Sequence, residues 1–172
     1  MTYKINPNLD LVLERIVDVP LELVWKAWTE PEHIVKWFCP RPYVVTKCEV
    51  DLRPGGIFRT DMKGPDMPES PCSGCILEVE KNKKFVWTSA LGPGFRPTPI
   101  PENGPDILFT GMILLEAQDG KTKYTAIAMH PDEKTCQKHS EMGFQEGWGI
   151  CLDQLVEEIT KGNIKFHYDQ SR

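Results

Sequence analysis

The chain's 172 residues suit one domain with a single core, because domains cluster near ~100–150 residues and cores persist somewhat beyond that size. Apolar residues at 40% and charged residues at 26% are ordinary for a globular protein, and a formal net charge of −5 argues against a nucleic-acid or anionic-membrane binder. The opening MTYKINPNLD has no export-type apolar core and no run approaches the ~18 apolar residues of a membrane span, so a cytoplasmic protein with six reduced thiols is expected.

Residues 9–17 alternate as a first strand. Asp18 offers an N-cap, and Leu21, Val24, Trp25 and Trp28 recur at helical spacing. Thr29-Glu30-Pro31-Glu32 reads as a capping box with an early proline, opening a second short helix that carries Ile34 and Trp37 and stops at Pro40 and Pro42. From 43 to 130 the texture is that of strands, near 43–51, 56–62, 74–80, 84–90, 107–116 and 121–130. Arg53-Pro54-Gly55-Gly56 has the proline–glycine centre of a type II turn, and Lys81-Asn82-Lys83 and Asp119-Gly120 mark two further tight turns. The connections from Gly64 to Pro71 and from Gly92 to Pro105 are long and stiffened by proline. After a short helix or turn at 132–141, Phe144, Trp148, Leu152, Leu155 and Ile159 form one helical stripe, with Glu146, Asp153, Glu157 and Glu158 mostly off it. Gly143, Gly147 and Gly149 each cost ~1 kcal/mol inside a helix, which calls for an offsetting close approach to sheet or ligand.

This order predicts a single α+β domain: a curved antiparallel sheet of about seven strands, two short helices after the first strand, and a long C-terminal helix covering the sheet's apolar face. Strand parity gathers the loops 63–73 and 91–106 and the crossing 130–144 at one end of the sheet, where loops commonly carry function. An apolar pocket between sheet and helix is expected to open there.

The residues Val24-Trp25-Lys26-Ala27-Trp28-Thr29-Glu30-Pro31-Glu32-His33, then Trp37, then Asp51-Leu52-Arg53-Pro54-Gly55-Gly56 with Phe58, resemble the START-like (SRPBCC) superfamily. Within it they look like the branch named after the activator of the heat-shock-protein-90 ATPase, which includes polyketide-cyclase-like proteins. The tail His130…His139…Met142-Gly143-Phe144…Gly147-Trp148…Leu152-Asp153-Gln154-Leu155 is similar to a bacterial subgroup. The resemblance spans roughly 8–160 and implies the helix-grip fold with an apolar cavity, in a family whose members bind varied small molecules or proteins.

Other constellations point elsewhere less well. Cys72-Ser73-Gly74-Cys75 has half of a zinc or redox spacing, but no second CxxC or His pair completes it, so small buried side chains are the better reading and no metal or cofactor is expected. His33 falls on the polar side of its helix and reads as solvated, and Trp25 and Trp28 read as core. No nucleophile elbow or paired carboxylates appear, so no catalytic residue is assigned. The residues expected to line the ligand are Trp37, Phe58, Trp87, Tyr124, His130, His139, Met142 and Trp148. The function expected is binding of a small apolar or aromatic molecule. The alternatives are a chaperone-ATPase-activating interaction module, which would ordinarily bring an extra N-terminal domain, and a cyclase- or hydrolase-type enzyme. A homodimer stays open.

Overall fold

The computed structural model describes residues 3–99 and 107–167. Strand β1 (Asp10–Val17) is followed by helices α1 (Leu21–Thr29) and α2 (Pro31–Ile34). Then come β2 (Val44–Val50), β3 (Ile57–Gly64), β4 (Met67–Ser70), β5 (Ser73–Glu80), β6 (Lys84–Thr88), a small β7–β8 hairpin (Leu91–Gly92, Arg96–Pro97), β9 (Thr110–Gln118) and β10 (Lys121–Met129). Helices α3 (Glu133–Glu141) and α4 (Phe144–Thr160) follow. The main path β1-β10-β9-β6-β5-β3-β2 is antiparallel throughout and strongly curled, with β4 paired to β3. Helices α1 and α2 thus carry the chain from one edge strand, β1, to the other, β2. This is the curved sheet and covering helix that the element order predicts, and the helix-grip arrangement that the resemblance implies.

Alternation places Leu13 and Val17 of β1, Phe58 of β3, Phe85 and Trp87 of β6, Ile113 and Leu115 of β9 and Tyr124, Ala126 and Ala128 of β10 on the concave face. They form one core with Val24 and Trp28 of α1 and with Phe144, Leu152, Leu155 and Ile159 of α4. The convex face keeps only a smaller cluster around Val86, Met112 and Ile127. Gly111 faces Trp87 across the β6–β9 pair, and a Cβ there would lie 2.4 Å from the indole, so glycine is what lets that ring lie flat on the sheet.

Several local expectations are revised. The N-cap of α1 is Pro20, not Asp18. The capping box at 29–32 does not form, because the Thr29 hydroxyl donates to the Trp25 carbonyl within α1 and leaves Glu30 as the cap of α2. The 63–73 connection is largely a hairpin, β3–β4, and residues 100–106 of the other long connection lie outside those described. The type II turn is present, with Gly55 at φ +83° and Gly56 N–H donating to Arg53 O at 2.9 Å. Arg53 pairs with Asp51 at 2.8 Å, as expected of a structural arginine. Of the three helix glycines, Gly143 caps α4 at φ +92° and Gly149 admits the Arg15 guanidinium to 2.6 Å of where a Cβ would sit, whereas Gly147 has nothing within 4 Å. Glu158, expected off the apolar stripe, is buried because Arg41 and Asn163 reach its two oxygens at 3.0 and 2.7 Å.

Candidate functional site

Residues 37–41 cross from α2 to β2, and their backbone is tied to α4 by one side chain. Gln154, itself buried, donates through Nε2 to Trp37 O and Cys39 O at 3.0 and 2.9 Å and accepts the Arg41 N–H at 3.0 Å. Arg41 adds ion pairs to Glu157 and Glu158, both at 3.0 Å. The Trp37 indole donates to Ala27 O at 3.0 Å. Phe38, Cys39 and Pro40 are held by these bonds as one wall of a cavity.

The opposite wall is Thr60 and Met62 of β3 together with Cys72. Cys72 is positioned by backbone: its carbonyl accepts from Thr60 N at 2.8 Å, and its N–H donates to Asp61 Oδ1 at 3.1 Å. Hydrogen bonds from Arg59, with Nη2 at 2.7 Å, hold the Asp61 carboxyl below its ordinary range. Trp28 of α1 and Tyr124 of β10 are buried in the lining, and Phe109, His139 of α3, and Trp148 and Cys151 of α4 complete it. The volume of this cleft-like cavity is about 280 Å³. No Lys, Arg, Asp or Glu contributes to it among the described residues.

The polar groups that do face the cavity are few and specific. The Trp28 indole N–H donates to the Tyr124 hydroxyl at 3.2 Å, and the hydroxyl's own proton has no acceptor among the described residues. Burial pushes the Tyr124 phenol above its ordinary pKa, so it remains a neutral donor. Burial likewise raises the Cys39 thiol, and the Cys151 thiol to about 12, so both remain neutral and poorly nucleophilic. His139 Nδ1 lies 2.8 Å from His130 Nε2, and His130 Nδ1 lies 2.8 Å from the Leu9 carbonyl. Burial, then the neighbouring His130, lowers the His139 pKa to about 4.

Four of the eight residues expected at the ligand line this cavity: Trp37, Tyr124, His139 and Trp148. Phe58 and Trp87 stand behind it, Phe58 against Phe38 at 5.9 Å and Trp87 stacked on Trp148 at 6.4 Å. His130 is buried behind His139, and Met142 at the end of α3 is 61% exposed and turned to solvent. Trp28, expected to be core only, is both core and lining. Phe38, Cys39 and Pro40 went unnoticed, although parity puts the residues before β2 at the same end as the close of β3. Cys75 is fully buried, but Cys72 is exposed at the cavity rim because it precedes β5 in a connection clamped by Asp61.

Two other places compare poorly. His33 is buried, not solvated, with Nε2 3.1 Å from Glu30 Oε2. It groups with Glu30 and Glu32 closely enough to suggest a cation, but the Lys36 ammonium stands 3.4 Å from its Nδ1 and opposes one. A larger, shallower concavity of about 870 Å³ lies over the convex face, where Lys84–Glu78 and Lys123–Glu14 pairs make a solvated groove.

The family model for Activator of Hsp90 ATPase homolog 1-like protein matches residues 18–160. The chain belongs to that family. An X-ray structure of protein NE0264 from Nitrosomonas europaea is 43% identical to this family member, covering 94% of this chain and 100% of that one at a TM-score of 0.87. Protein Ms6760 from Mycobacterium smegmatis, at 22% identity, and the AHSA1 protein SPO3351 from Silicibacter pomeroyi, at 20%, share the fold with TM-scores of 0.73 and 0.62. Their alignments cover 90% and 89% of this chain and 93% and 99% of theirs. No curated protein matches the chain. The family and the START-like fold are thereby established, and no helix among the described residues is long and apolar enough to cross a membrane.

Proposed function

We propose that this protein binds a small, neutral, apolar or aromatic molecule in the cavity between β3, β10 and α4. The observation that carries the reading is the lining itself: aromatic rings and thiols around about 280 Å³, with no ionic side chain among the described residues. Left dry, that volume would cost roughly 7 kcal/mol at ~24 cal/mol per Å³. The figure is comparable to the whole stability of a domain, ~5–15 kcal/mol. The gap therefore does not stand empty: water enters through its open side, and an uncharged ring that displaces that water gains contact with the apolar walls.

Native mass spectrometry and thermal shift against a panel of neutral aromatic and lipid-like molecules test the reading. Cys151→Phe places a ring in the cavity from the α4 side. It is expected to abolish any ligand-dependent rise in Tm while keeping the unliganded Tm within about 3 °C, because filling existing space adds little strain. Stimulation of an Hsp90-type ATPase that survives Cys151→Phe, with no ligand found for the parent protein, would move the function to the outer surface and overturn the proposal.

A further inference from the structure

The cavity's hydrogen-bonding polarity is set from outside it. The Leu9 carbonyl, at the start of β1, can only accept, so His130 Nδ1 at 2.8 Å must carry a proton. With that ring neutral, His130 Nε2 is bare and accepts, and His139 Nδ1 at 2.8 Å must in turn donate to it. A neutral His139 then has only Nε2 left, an unprotonated acceptor with no partner among the described residues, on a ring that lines the cavity. Phe109, Phe144 and Trp148 stand around this imidazole at centroid distances of 5.0, 5.5 and 6.3 Å. The unpaired proton of the Tyr124 hydroxyl is a second, independent polar feature, on a buried residue that lines the same space.

We propose that the ligand is a hydroxylated aromatic whose O–H is donated to His139 Nε2, with His130 as the positioning residue that transmits the constraint of the Leu9 carbonyl. The inference rests on the cavity-binding reading above and narrows it. The free Tyr124 proton calls for an acceptor elsewhere on the same molecule, such as a ketone oxygen. A ligand lacking the donor forgoes the bond to His139 Nε2 and displaces the water that can make it, and a ligand ending in a bare acceptor meets a lone pair.

Calorimetric titration with benzophenone, 4-methoxybenzophenone and 4-hydroxybenzophenone at pH 7 separates the two levels. The hydroxylated ketone is expected to bind at least about tenfold more tightly than the other two. His139→Leu should bring the three Kd values within about twofold of one another, whereas a general loss of structure would weaken all three and keep their ratio. His130→Phe, which removes the acceptor for His139 Nδ1, should also erase the preference. Imidazole ¹⁵N shifts in the unliganded protein should show His139 protonated at Nδ1 and bare at Nε2. Equal affinity for all three ketones, a preference that survives His139→Leu, or a proton on Nε2 would overturn this inference and leave the cavity reading standing. Failure of all three to bind would likewise overturn this inference, while the cavity reading stands or falls on the wider panel of neutral aromatic and lipid-like molecules.

Discussion

Gln154→Ala is expected to lower Tm by about 10 °C. The substitution strands the Trp37 and Cys39 carbonyls and the Arg41 N–H, the three backbone groups that Gln154 satisfies from within α4. At ~1–3 kcal/mol for each orphaned buried group, allowing for partial rescue by water, the loss is about 3–5 kcal/mol. Each kcal/mol moves Tm by roughly 2–4 °C in a chain of this size. Gln154→Glu should do nearly as much harm, because a carboxylate would then face two carbonyls. Asp153→Ala, one residue away on a side chain 72% exposed, should stay within about 0.5 kcal/mol of the parent. Because the stranded groups hold Phe38, Cys39 and Pro40, Gln154→Ala should also weaken ligand binding. Thermal melts with and without ligand check both effects, and a shift no larger than that of Asp153→Ala would show that α4 does not hold this wall.

Acid should destabilise the protein between pH 6.5 and 4 through His139. Its native pKa of about 4 lies below the 6.5 of an exposed histidine. In that window the unfolded chain binds a proton that the folded chain refuses, so stability falls as pH falls and is fully present above about 6.5. The size is about 2–3 kcal/mol, taken from ~1.36 kcal/mol per unit and reduced because the ring is only half-buried. His33, lowered first by burial, acts with the same sign. The carboxyls of Asp61, Asp132 and Glu157, held low by hydrogen bonds from Arg59, from the Thr135 backbone and from Lys161, lose their contributions at still lower pH. Denaturant titrations of the parent and of His139→Gln should therefore converge as pH falls from 6.5 to 4 and run parallel above 7. Parallel curves throughout would mean that the folded protein protonates His139 as readily as the unfolded one.

Much of the fold was legible because local periodicity reported it. The alternation in 121–130 put Tyr124, Ala126 and Ala128 on one face, and the stripe from Phe144 to Ile159 could only cover that face. Capping was misread where two local hydrogen bonds competed. The Thr29 hydroxyl could cap α2 or bond back into α1, and it does the latter. Phe58 and Trp87, expected at the ligand, lie in the core behind the cavity lining, because periodicity carries direction and not depth. Met142 was drawn in by its place in a motif, although the end of α3 turns it outward.

The amino-acid sequence by itself determined the strand and helix order and the covering of the sheet by the final helix, since each follows from patterns within some tens of neighbouring residues, and its spaced motifs carried the resemblance to the family. Only the tertiary structure decided which groups meet across long separations. It brought Gln154 to the backbone of 37–41 and placed the Leu9 carbonyl behind His130. Those juxtapositions depend on the closing of β1 against β10 and of α4 against the crossover from α2, contacts made between segments over a hundred residues apart. The polarity of the cavity is a property of that closure: a carbonyl outside the cavity dictates which nitrogen of a histidine inside it is left free to accept a hydrogen bond.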